Sequence, residues 1–154
     1  MEGVGETTVC LLKICQHVSI QRLKAPIMQK PLLDGWDQVA TYCKAQMSHL
    51  QKEQLRTLFV DHKNQLLHDE VHREGTVDQA PLYIREILQR ALDLGATGLI
   101  LVHNHPTGDP TPSAADIAVT RNIQEAAKHL NIRVLDHLII GKGRHISLKA
   151  QGMM

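Results

Sequence analysis

Aromatic side chains are scarce in this chain: one Trp, two Tyr and one Phe among 154 residues, 3% in all. Sequence-tolerant binding of single strands or RNA needs several aromatic platforms for base stacking, so that mode of nucleic-acid recognition is disfavoured. A dominant charge is missing as well. Lys+Arg number 17 against 16 Asp+Glu, a formal net charge of +1 with no long basic block, and a strong phosphate-driven affinity is not expected. Cys10, Cys15 and Cys43 are odd in number and form no C-x-x-C pair, which points to a reduced, cytoplasmic setting. The opening residues lack a basic region followed by an apolar block, and no apolar run reaches the length of a bilayer span. Neither export nor a membrane is expected.

What remains is ordinary for a globular domain, with 43% hydrophobic and 21% charged residues, enough for one real core. Residues 7–17 can form a short helix with Val9, Leu12 and Cys15 as its apolar side, and Pro26 and Pro31 mark a linker behind it. Residues 1–30 therefore read as an N-terminal arm and 34–154 as the main domain. Asp34 is placed to cap a helix carrying Trp36, Val39, Ala40, Cys43 and Met47. Residues 55–61 and 65–71 read as a hairpin around His62-Lys63-Asn64, with 75–79 as a continuation of its second strand. A helix over 85–94 ends at Gly95, a fitting C-cap. Strands are expected at 132–140 and 145–148. The order α, β, β, α, β, α, β, β implies an α/β fold, a mixed sheet flanked by helices.

The chemistry concentrates in one stretch, LILVHNHPTGDPTPSAAD, residues 99–116. Leu99 to Val102 form a short apolar run that suits a buried strand. Side chains on a strand repeat with period two, so His103 and His105 point one way and Asn104 the other. Backbone positions about 7 Å apart allow two imidazoles to converge on one ion at about 2.0 to 2.1 Å. Pro106, Gly108, Pro110 and Pro112 then enforce a shaped loop, and Ser113 is a natural N-cap for a helix running from Ala114 to about Leu130. That puts Asp116 in the first turn, facing the histidines. Two neutral nitrogens, one carboxylate and no evident fourth protein ligand match an open zinc site. Alone, H-x-H is more often two ordinary histidines, and Ser-x-x-Asp is usually only a cap. Capping, however, requires neither histidine.

His103-x-His105, seven residues, Ser113, two residues and Asp116 resemble the zinc motif of the JAMM (MPN+, JAB domain) metalloproteases, and NHPTGDPTPS and DHLII resemble their bacterial RadC-like branch. The likeness runs from about Asp34 to the C-terminus and takes in LFVDHKNQLL, Gly75-Thr76-Val77 and Arg85-Glu86. Thr107, Ile84 and Gly141-Lys142-Gly143-Arg144 depart from the family's usual residues without touching a proposed ligand. The resemblance implies an MPN/JAB-like mixed sheet with the layering of cytidine deaminases and a Zn2+ cofactor on His103, His105 and Asp116. It implies hydrolysis of a peptide or isopeptide bond in a protein or peptide substrate. It further implies that Glu53 handles protons of the water on zinc. By composition alone Glu53 is a solvated residue of the polar run Gln51-Lys52-Glu53-Gln54. Ser113, by the same likeness, donates to the oxyanion on the scissile carbonyl, a role worth about 3 to 4 kcal/mol per donor.

Other features compete less well. Gly3-Val4-Gly5 before a helix looks like the second half of a helix-hairpin-helix, a DNA-backbone module that precedes the zinc domain in many RadC-like chains, so the alternative is a DNA-repair factor with a non-proteolytic role. His68 and His72 have zincin spacing, but Glu70 stands at the wrong step and the surroundings read as strand. Cys43 offers only a lone thiol for nucleophilic catalysis. His17, His49, His62, His129 and His145 read as surface residues, and Asp136-His137 as a buried polar pair, either structural or supporting the zinc site.

Overall fold

Four apolar residues in a row, 99–102, need cover on both faces of their strand, and the fold supplies it. A computed structural model of the chain describes residues 5–74 and 80–154. In order, the elements are α1 (Glu6–Ile27), a 3-10 turn (Leu32–Gly35), α2 (Trp36–Met47), β1 (Gln54–Val60), β2 (Leu66–Glu74), α3 (Ala80–Asp93), β3 (Gly98–Asn104), α4 (Ala114–Lys128), β4 (Arg133–Ile140) and β5 (His145–Ser147). The sheet order is β2-β1-β3-β4-β5. Only β3 and β4 run parallel, joined through α4, and the other neighbours are antiparallel. This is the mixed α/β sheet that the element order implied.

Alternation along β3 sorts the core into two halves. Ile100 and Val102, with Leu58, Val60, Leu138 and Ile140, pack against Ile27 of α1 and Val39, Tyr42 and Met47 of α2. Leu99 and Leu101, with Phe59, pack against Ile87 and Ala91 of α3 and Ile123 and Ala127 of α4. The same parity carries His103 toward α4 and Asn104 toward the opposite layer. In β4 the register steps from Leu99↔Val134 to Ile100↔Asp136, a bulge that turns Leu135 into the α1/α2 half. Beyond it Asp136 matches Ile100 and His137 matches Leu101, so the two polar neighbours face different layers.

Several local expectations change. The first helix does not stop at 17 but runs to Ile27 with Pro26 inside its last turn, so Pro26 does not open a linker. Ile20, Leu23 and Ile27 lie on one side and pack into the core, and that tertiary contact outweighs the proline's lost hydrogen bond. Farther toward its N-terminus α1 leaves Leu11, Leu12, Ile14 and Val18 exposed. Asp34 does not cap α2, whose N-cap is Gly35 without a side-chain bond. Buried Leu32, with its N–H on Asn64 O at 2.8 Å, ties this segment to the β1/β2 turn and leaves room for only a tight turn. Residues 75–79, expected to extend the second strand, lie outside the described residues. Gly95, at φ +63, does close the end of α3 as expected.

A buried ionic knot fixes the α1/α2 layer. Asp69 of β2, its side chain 2% exposed, accepts from Tyr42 Oη and from Arg56 Nη1, with Lys24 Nζ of α1 at 3.6 Å. Removing one partner strands the buried guanidinium, so Asp69→Ala is expected to lower unfolding free energy by about 3–5 kcal/mol in denaturant titration, whereas Tyr42→Phe costs only about 1 kcal/mol.

Candidate metal centre

β3 ends where its apolar cover ends, and its last inward residue on the α4 side is His103, 8% exposed. The chain then turns. His105 N–H donates to Ile140 O at 2.8 Å and Gly108 N–H to His105 O at 2.9 Å, which pins the loop to the end of β4. Gly108 sits at φ +93, and a Cβ on Gly141 would lie 2.4 Å from Gly108 O. Two glycines meeting backbone to backbone let the loop close down on the β4/β5 turn.

At the far end of the loop Ser113 caps α4 and Asp116 is the third helical residue. The cap is reciprocal. Asp116 N–H donates to Ser113 Oγ at 3.1 Å, while Ser113 N–H and Oγ–H donate to Asp116 Oδ2 at 2.8 and 2.6 Å. Burial pushes the Asp116 carboxyl up, but the Ser113 hydrogen bonds and the neighbouring imidazoles outweigh it and hold it below the usual carboxylate range. The helix N-terminus favours the same anion.

His103, His105 and Asp116 converge, each offering one ligand atom within 4.8 Å of the others. His105 Nε2 is 3.3 Å from Asp116 Oδ2 and His103 Nε2 is 3.8 Å from Oδ1. The two rings stand edge to face with centroids 5.1 Å apart. His105 Nδ1–H donates to Asp109 O at 2.9 Å, which assigns the proton to Nδ1 and leaves Nε2 a free lone pair. Burial holds the His103 pKa below its ordinary 6.5, against the pull of Asp116 and Glu53, so the ring is neutral at pH 7. Two imidazoles with a buried ionised carboxylate fit a divalent cation, and the three donors leave further coordination positions free.

Glu53 is half-buried in the stretch leading into β1, where Leu55 pairs with His103. Its position is set from behind by Asn104, whose Oδ1 accepts from Gln54 N–H at 2.8 Å and whose Nδ2 donates to Lys52 O at 3.0 Å. The side chain thus brackets Glu53 on both sides, and the Glu53 charge acts on His103. Asn104 is a residue that sequence reasoning passed over. Its signal was available: a polar side chain on the buried side of a strand end must find partners. Ser113 lies beside the triad, with its hydroxyl proton on Asp116 rather than toward solvent.

The alternatives fall away. His68 and His72 lie on β2, not on a helix, and His72 packs edge-on against Phe59 at 6.0 Å. Cys43 is fully buried and burial pushes its thiol up to about 12, which rules out a thiolate nucleophile at neutral pH. Cys10, Cys15 and Cys43 are unpaired. Among the described residues no helix is long and apolar enough to cross a membrane.

A mixed sheet whose central strand delivers two histidines to an aspartate at a helix N-terminus defines the JAB type of α/β domain. Residues 33–153 match the family described as the RadC-like JAB domain. The chain is also similar to a UPF0758 protein of Rhodobacter capsulatus, 49% identical over 152 residues, covering 99% of this chain and 71% of that protein. The chain belongs to the RadC-like JAB domain family.

Two outcomes follow from this geometry. Gly141→Ala forces the loop away from the β4/β5 turn and is expected to weaken any divalent-cation uptake by the triad by about tenfold or more, read by competition with a chelator. Uptake of a divalent cation by the triad is also expected to fall as pH is lowered beneath 6.5, where protons compete with the cation at His103. Metal content measured after equilibration at stepped pH checks this.

Proposed function

We propose that this protein is a zinc-dependent hydrolase of peptide or isopeptide bonds, with His103, His105 and Asp116 as ligands. The observation that carries the reading is the meeting of two imidazole nitrogens and one buried carboxylate with no fourth protein ligand among the described residues, the donor set of a catalytic rather than a structural zinc site. Zinc held there lowers the pKa of a water toward 7 and polarises a carbonyl. Glu53 takes the proton of the attacking water and delivers it to the leaving amine. Ser113 keeps its main-chain N–H on Asp116 Oδ2 while its hydroxyl proton turns to the oxyanion, and the carboxylate stays held. Asn104 keeps Glu53 in place. Membership of the RadC-like JAB family supports this assignment of roles.

The experiment separates ligand from proton carrier. Zinc content is measured alongside cleavage of a mixed peptide library read by mass spectrometry. Asp116→Ala is expected to lose metal and cleavage together. Glu53→Gln is expected to keep zinc at the wild-type stoichiometry and lose cleavage by about 10²-fold or more, because an amide can hold a water but cannot accept its proton. Zinc loss in both variants alike would make Glu53 a ligand and the site a closed, structural one. Wild-type protein that binds zinc and cleaves nothing in the library would overturn the hydrolase reading.

A further inference from the structure

His137 is a buried titratable group with one hydrogen bond left to make. It is 1% exposed on β4 and matches Leu101 in register, one row behind His103 on the same face of the sheet. Its Nδ1 lies 2.6 Å from Thr120 Oγ1, and that hydroxyl donates at 2.5 Å to the main-chain carbonyl of Asp116. A hydroxyl carries one proton. With that proton on the Asp116 carbonyl, the Thr120 oxygen accepts from His137, which puts the imidazole proton on Nδ1 and leaves Nε2 a bare acceptor. Burial pushes the ring's pKa down to about 3, so it remains neutral. Nε2 is buried and has no partner among the described residues. Buried acceptors are nearly always satisfied, so a donor is implied.

The group with the matching need is His103. As a ligand through the Nε2 that faces Asp116, it carries its proton on Nδ1, for which the described residues provide no acceptor. The His103 and His137 rings stand edge to face with centroids 6.4 Å apart. Ligating histidines normally anchor the opposite N–H on an acceptor, as His105 does on Asp109.

We propose that His137 is a positioning residue of the metal centre. Its Nε2 accepts the Nδ1–H of His103 across one ordered water, since ring centroids 6.4 Å apart are too far for a direct bond, while its Nδ1–H holds Thr120 against the Asp116 carbonyl. One directed chain, His103 to His137 to Thr120 to Asp116, then joins two ligands that belong to different elements. The proposal rests on the metal reading of the triad and is independent of hydrolysis. An imidazole that merely filled the core would be replaceable by a ring of similar shape.

The test measures zinc affinity by chelator competition, together with the visible spectrum of the Co2+-loaded chain, for wild type, His137→Phe and His137→Gln. His137→Phe is expected to weaken zinc binding by about 10- to 100-fold and to shift the Co2+ bands. The amide of His137→Gln offers both a donor and an acceptor and is expected to recover most of the loss. Wild-type affinity and spectrum in His137→Phe would overturn this proposal while the metal reading stands, and a wild-type chain that takes up no zinc would overturn both. If His137→Phe does not fold, nitrogen NMR of the wild-type ring decides: an Nδ1–H tautomer whose Nε2 resonance moves on zinc loading supports the chain, and an Nε2–H tautomer overturns it.

Discussion

The centre depends on the alternation of side chains at the end of β3. Because Leu99 through Val102 are fully buried between two helical layers, the strand's register is fixed by its packing, and a one-residue slip would exchange its faces. His103 and Asn104 inherit that constraint. One is sent to the N-terminus of α4, the other to the chain leading into β1. The core thereby aims a candidate metal ligand and holds the segment carrying Glu53 with two adjacent residues, and neither task needs a dedicated loop.

In Asp116, capping leaves room for ligation. A carboxylate has about four lone-pair sites, so Oδ2 can accept both Ser113 bonds while Oδ1, free of them, faces His103. The cap also keeps the carboxyl ionised against the cost of burial, and an ionised carboxylate is the form a cation requires. Ser113 has no such surplus. Its single proton is on Asp116 in this structure, so service to an oxyanion requires a turn of the hydroxyl, with the main-chain N–H left to secure the ligand.

What could be read from the sequence was local. His103, His105, Ser113 and Asp116 fall within fourteen consecutive positions, 103–116, where strand parity, proline-enforced turning and helix capping are short-range rules. Gly95 was legible for the same reason. The length of α1 was not, because the packing of Ile20 and Leu23 decides it. Nor was the bulge at Leu135, which shifts the strand's parity so that His137 rather than Asp136 faces the centre. The partners of Asn104 lie about fifty residues away, and no spacing rule reaches that far. Glu53 stood out only through the family likeness, since nothing in a polar run marks one carboxylate above its neighbours.

Hydrogen bonding now separates Glu53 from the other buried or half-buried carboxylates. Asp69 is saturated by Tyr42, Arg56 and Lys24. Asp136 accepts from His137 N–H at 2.7 Å, Lys149 N–H at 3.1 Å and Ser147 Oγ–H at 2.6 Å. Asp116 is held by Ser113. Each of these is fixed by bonds to the charged oxygens themselves, which is what a structural carboxylate or a ligand requires. Glu53 is held the other way round: its flanking main chain is clamped by Asn104, while its carboxylate makes no hydrogen bond among the described residues. A group that must pick up a proton at one atom and release it at another needs a fixed root and a free end. Bonds to its oxygens would lower its proton affinity and restrict its reach. Glu53 thus combines a clamped main chain with an unencumbered carboxylate whose charge acts on His103, which is what the proton carrier proposed above requires.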